Sequence, residues 1–150
     1  MSMNGQLWHI PAEHMDALDD EAVVESIMEA DGLHLGKEWN GVHYLLCGEG
    51  ATGESAVLGG TLLDGPDAGY GPPQFLTPAE VAAYAKQLAE TTDDELRAAY
   101  DPDGMRDEEV HGGDWDDPDE VERLIAAARR LRAFYQDAAA RGCGMLQQLV

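Results

Sequence analysis

Hydrophobic and polar positions alternate like a strand at the start of the chain and follow a helical period through most of the rest. Gln6-Leu7-Trp8-His9-Ile10 alternates and then meets Pro11, which predicts a short first strand. Pro11-Ala12-Glu13 suits a helix's first turn, with Met15 and Leu18 facing inward. Ile10 would stand at the cap and cannot cap, so this helix should be short. Asp19 or Asp20 caps the next helix. There Val23, Val24, Ile27 and Met28 recur at helical spacing, Glu21, Glu25 and Glu29 line the other face, and Asp31-Gly32 stops it.

The stretch from Trp39 to Gly48 is the most apolar of the chain and should be its most buried piece. Trp39, Val42, His43 and Leu46 fall on one helix face. A strand from Val42 to Cys47 is the competing reading, because Val and Tyr favour strands and Gly41 weakens a helix. Gly48 to Glu54 reads as a glycine loop. Ser55–Leu58 and Thr61–Leu63 read as short strand segments around Gly59-Gly60, and Asp64 to Pro72 as a turn-rich connection.

Helix signals then strengthen. Thr77-Pro78-Ala79-Glu80 carries a capping box, with Val81, Tyr84, Ala85 and Leu88 as the apolar face. Thr92-Asp93-Asp94-Glu95 repeats the device for a shorter helix through Leu96, Ala99 and Tyr100, which Asp101-Pro102-Asp103-Gly104 should end. In the last helix Asp117 caps, Pro118 begins and Glu120 completes the box. Its stripe is Val121, Leu124, Ile125, Ala128, Leu131, Tyr135 and Ala138, and Gly142 ends it after roughly 23 residues. Acids gather at its start and arginines toward its end, as the helix dipole favours. Met145 to Val150 can return as a closing strand.

Composition changes the picture mainly through charge. The chain of 150 residues has 30 Asp+Glu against 9 Lys+Arg, a net charge of −21. Residues 1–96 hold 2 Lys+Arg and 18 Asp+Glu, and residues 97–150 hold 7 and 12. Such a field repels nucleic-acid phosphates and anionic lipid and attracts basic partners. Direct nucleic-acid binding is therefore disfavoured. Solubility, or a general acidic bias of the host, accounts for the same charge more simply. No leader or membrane span is expected, since the longest apolar run is Tyr44 to Cys47. Cys47 and Cys143 do not make a disulfide framework, and the expected compartment is the cytoplasm.

The order of several short motifs resembles the YfbM-like family, a bacterial family of unknown function. These are Met3-x-Gly5; Trp39-x-x-x-His43-Tyr44 before Leu46-x-Gly48; Leu58-Gly59-Gly60; and Gly69-Tyr70-Gly71-Pro72 leading into Leu76-Thr77-Pro78-x-Glu80. Asp101-Pro102-x-x-Met105, Gly113-x-Trp115 and Leu131-Arg132-x-Phe134-Tyr135 continue it, so the likeness runs nearly end to end. Trp8 and Ile10 depart from the family's usual residues and bear on where the first helix begins. The resemblance implies one α+β domain over residues 1–150, with a small, mostly antiparallel sheet packed with several helices including the long C-terminal one. It implies no activity.

Candidate chemistry is sparse. Gly48-Glu49-Gly50-Ala51-Thr52-Gly53 fits G-x-G-x-x-G, but the next segment is too short and broken for the helix a dinucleotide needs, and Glu49 and Glu54 carry the wrong charge. Asp101-x-Asp103-Gly104 with Asp107, Glu108 and Glu109 partly resembles a calcium loop, yet its glycine comes at position four instead of six. Asp114, Asp116 and Asp117 are a second acidic candidate, read more simply as a helix start. His9, His14, His34, His43 and His111 form no H-E-x-x-H, and the cysteines form no C-x-x-C. No metal, cofactor or catalytic set is expected.

His43 remains. On the apolar face one turn from Trp39, it could meet Tyr70, Gly71 or Trp115 across a cleft and act as acid or base near neutrality. A core histidine hydrogen-bonded to a backbone carbonyl is the plainer expectation. The function expected is thus a non-catalytic acidic binding protein for a basic protein partner, as a monomer or small homo-oligomer. The alternative is a small-molecule enzyme with a cleft at Trp39, His43, Tyr70, Gly71 and Trp115.

Overall fold

The closing segment becomes the centre of the sheet. Strands β1 (Gly5–Ile10), β2 (Leu33–Gly36), β3 (Thr61–Leu62), β4 (Gln74–Leu76) and β5 (Gly144–Leu149) run in the order β2-β1-β5-β4-β3, every neighbouring pair antiparallel. The computed structural model describes residues 3–47, 54–63, 70–110 and 112–150. The G-x-G-x-x-G stretch, residues 64–69 of the turn-rich connection, and His111 lie outside these.

Alternation along the two central strands divides the core in two. Trp8, Ile10 and Leu146 face one way, where Leu18, just after a 3₁₀ helix (Ala12–Ala17), and Val24 and Ile27 of α1 (Glu21–Glu29) meet them. Leu7 and Met145 face the other way, into the larger core. Helices therefore cover both sheet faces, which is why β5 reads as a nearly continuous buried run and not as a half-polar strand.

The larger core is built by α2 (Trp39–Cys47), α3 (Pro78–Glu90), α4 (Asp93–Ala99), α5 (Pro102–Asp107) and α6 (Glu120–Ala140). The Trp39 stretch is helical, and Gly41 through Leu45 are buried without a break. Gly41, which weakens the isolated helix, has a packing reason. A Cβ there would come within 2.6 Å of Leu124 Cδ2, so α2 lies on α6 at a distance only glycine permits. The capping box at Thr77 and Glu80 forms as expected, and Thr92 caps α4 through the Glu95 N–H. Gly142, at φ +68°, ends α6.

Four local readings are corrected, and two strands were missed. The first helix is 3₁₀, and Pro11 at its cap offers no side-chain acceptor. β2 and β4 were not legible; both are short and take their stability from β1 and β5. Ser55–Leu58 is a bent segment and not a strand: Ser55 Oγ accepts the Val57 N–H, and the Ser55 N–H reaches the Leu58 carbonyl. Asp101–Gly104 does not merely end α4; Pro102 opens α5, held down by Met105, whose side chain is buried. α6 starts at Glu120, two residues past Pro118. Asp117 instead accepts the Asp119 N–H and pairs with Arg123, and buried Glu120 turns to Arg123 in place of the cap.

Candidate functional site

The five candidate cleft residues go to three places. Trp39 and His43 point from α2 into the core. The Trp39 indole donates to the Met3 carbonyl at 3.0 Å, which ties the chain's start to α2. His43 is 3% exposed, with Nδ1 2.7 Å from Ser55 Oγ. A serine hydroxyl is thus one of its partners. Cys47, one turn on, lies 3.6 Å from the ring and donates to the Glu54 carbonyl at 3.5 Å. Burial pushes the Cys47 thiol up, against a smaller opposite effect of Ser55, so it is a poor thiolate despite the neighbouring histidine.

Trp115 is buried elsewhere. It donates to the Val110 carbonyl at 3.3 Å and meets Tyr100 edge-on at 6.4 Å. Tyr70 and Gly71 line a small cavity at the end of β5 whose walls include none of Trp39, His43 and Trp115.

A buried polar network that sequence reasoning missed lies between these places. Tyr135, from the last third of α6, donates to the Ala56 carbonyl at 2.5 Å. The Gln147 amide of β5 donates to the same carbonyl at 2.6 Å and to the Tyr135 oxygen at 2.8 Å. Burial holds the Tyr135 hydroxyl well above its ordinary pKa, so it stays a neutral donor. The bent segment Ser55–Val57 is thus gripped from α2 through His43 and from α6 and β5 through its carbonyl. Only the two adjacent glutamines in an apolar closing strand hinted at this.

Surface charge is unevenly neutralised. Arg97 pairs with Asp94 and Glu122, Arg106 with Asp103 and Asp116, and Arg123 with Asp117 and Glu120. Arg129 and Arg132 converge on Asp93. Asp93, Asp117 and Glu122 are held below the usual carboxylate range, Asp93 and Glu122 chiefly by hydrogen bonds from Arg129 and Arg97, and Asp117 first by the Asp119 N–H. On and beside the 3₁₀ helix and α1 the eight acids from Glu13 to Asp31 are all exposed. None makes an ion pair among the described residues. Between the 3₁₀ helix and β3–β4 opens a groove lined by Met15, Leu18, Leu62, Leu63 and Phe75 with Asp16 and Asp19. Leu62 is 64% exposed.

This imbalance makes a salt prediction. The exposed arginine pairs are each worth little, and screening costs little there. Repulsion among the unpaired acids is relieved by the same screening. The melting temperature should rise from low to moderate sodium chloride. A flat profile by scanning calorimetry would mean that the acids are too dispersed to strain the fold.

Among the described residues, no group of three or more His, Cys, Asp or Glu is placed to hold a metal, and no helix is long and apolar enough to cross a membrane. A family model described as a domain of unknown function, DUF1877, matches residues 1–148. The solved structure of YfbM from Escherichia coli, titled a protein of unknown function, superposes with a TM-score of 0.73 at 19% identity, covering 98% of this chain and 99% of that one. At that identity the likeness is one of fold. Among curated proteins none matches in sequence.

Proposed function

The chain belongs to the DUF1877 family, and we propose that it is a cytoplasmic, non-catalytic protein whose acidic face binds a basic protein partner. The observation that supports this reading is the unneutralised charge of the 3₁₀ helix and α1. Every Lys and Arg of the chain lies beyond Gly36, so nothing of opposite charge sits within that segment. Most arginines of the C-terminal half are already engaged by acids near them. A partner rich in Lys and Arg would find its complement on this face, and the groove at Met15, Leu62 and Phe75 offers it apolar contact.

The alternative, catalysis at a cleft around His43, needs a ring nitrogen within reach of a substrate, and the ring is buried against Ser55.

Capture from lysate at low and high salt tests the proposal, with Asp16→Lys/Asp19→Lys beside the natural protein. Basic proteins should be enriched at low salt, released at high salt, and lost with the double variant. Enrichment of no basic protein at low salt, or the same capture by the variant, would sink it.

A further inference from the structure

We infer that the open edge of β3 takes up an extended, basic peptide segment of a partner protein as an added strand, a docking mode that rests on the acidic-face reading above. Leu62 is the pairing residue. β4 pairs with β3 on one side, and no described strand lies on the other.

The register on β4 sets Thr61 opposite Phe75 and Leu62 opposite Gln74. One residue on, the Leu63 N–H donates to the Pro73 carbonyl at 2.9 Å. Hydrogen-bonded and non-hydrogen-bonded pairs alternate along an antiparallel ladder, so Leu62 and Gln74 form a non-bonded pair. The Leu62 N–H and C=O therefore point away from β4. Neither has a hydrogen-bond partner among the described residues. Both residues of β3 are exposed, and Leu62, at 64%, is the one large hydrophobic side chain that stands exposed among the described residues. An exposed edge that offers a donor, an acceptor and an apolar side chain is a template for another strand.

Side-chain alternation specifies the occupant. A residue paired with Leu62 sets its side chain beside that of Leu62, and its two neighbours point to the opposite sheet face. That is the face of Leu63 and Phe75, which line the groove together with Met15, Leu18 and the exposed Asp16 and Asp19. Lys and Arg fit such a place, because the aliphatic stem lies along apolar side chains while the charged head reaches a carboxylate. The pattern required is thus an apolar residue between two basic ones. A second copy of this chain would bring its own Asp16 and Asp19, and a charge of −21, to the same edge. Charge complementarity selects a basic segment instead.

A blocked Lys-Val-Lys-Val-Lys peptide tests this beside a counterpart N-methylated at both valines, which keeps charge and side chains but loses the valine donors. In NMR titrations of the labelled protein the first peptide should saturate and slow hydrogen exchange of the Leu62 amide by at least about tenfold. The methylated peptide should bind at least about tenfold more weakly and leave that exchange unchanged. Leu62→Pro removes the outward donor without touching a β3–β4 bond, a change that edge strands tolerate, and should abolish the difference between the peptides. If that variant is unfolded, the two peptides on the natural protein decide alone. Equal affinity of the two would overturn strand addition and leave an acidic docking face standing. Saturation by neither would overturn it as well, with the acidic face judged separately by capture from lysate. A Leu62 amide already protected in the free protein, more so as concentration rises, would place a second copy on the edge and overturn the inference.

Discussion

Leu131→Ala is expected to lower the free energy of unfolding by about 2–5 kcal/mol. Leu131 has no exposed surface and sits midway along α6, in the stripe that runs from Leu124 to Ala138 against the rest of the larger core. Removing three carbons there forfeits transfer free energy and leaves a cavity. That cavity cannot close easily, because α6 is braced along its length. α2 lies on it across Gly41, and Tyr135 is tied to Ala56 one turn beyond Leu131. A helix so fixed relaxes little, which places the cost toward the upper part of the range. Ala126→Gly, on the exposed side of α6, is the control and should cost only about 1 kcal/mol of helix propensity. Urea unfolding followed by circular dichroism separates the two. A nearly unchanged midpoint for Leu131→Ala would mean that the stripe does not face the core.

His43→Ala is expected to cost a few kcal/mol and His43→Gln clearly less. The alanine variant opens a cavity under α2 and removes the partner that holds Ser55 Oγ at 2.7 Å. Ser55 keeps the Val57 N–H, but the bent segment loses its anchor on α2. Glutamine retains an amide able to bond that hydroxyl and fills part of the ring's volume. The ordering natural > Gln > Ala in melting temperature is the mark of a structural role. Equal stability of all three, with a loss of some ligand response, would reverse the assignment and restore the catalytic alternative.

Helix ends proved readable because their chemistry is local. Thr77 with Glu80, Thr92 with Glu95 and Asp20 with Ala22 each satisfy a backbone N–H within a few residues, so the signal lies in one short window. The same window misled at Asp117-Pro118-Asp119-Glu120. The local pattern fits a capping box, but Arg123 draws off both Asp117 and Glu120. β2 and β4 failed for the opposite reason. Four and three residues carry too little periodicity, and only hydrogen bonds to distant strands make them extended.

The resemblance to the YfbM-like family implied the α+β class; sequence by itself determined the long last helix, the closing strand, the apolar stretch around His43 and the uneven distribution of acids. Each is a property of composition or of spacing along one segment, where period and capping decide. Tertiary structure alone decided what those segments meet. It gave His43 a serine twelve residues away, and separated Trp115 from Tyr70 and Gly71. It also brought Tyr135, Ala56 and Gln147 onto one carbonyl from an interior helix, a bent loop and the central strand. Such contacts span up to 91 residues of chain. They form because burying each of these polar groups is unfavourable without the others, and no local pattern encodes which distant group will be there.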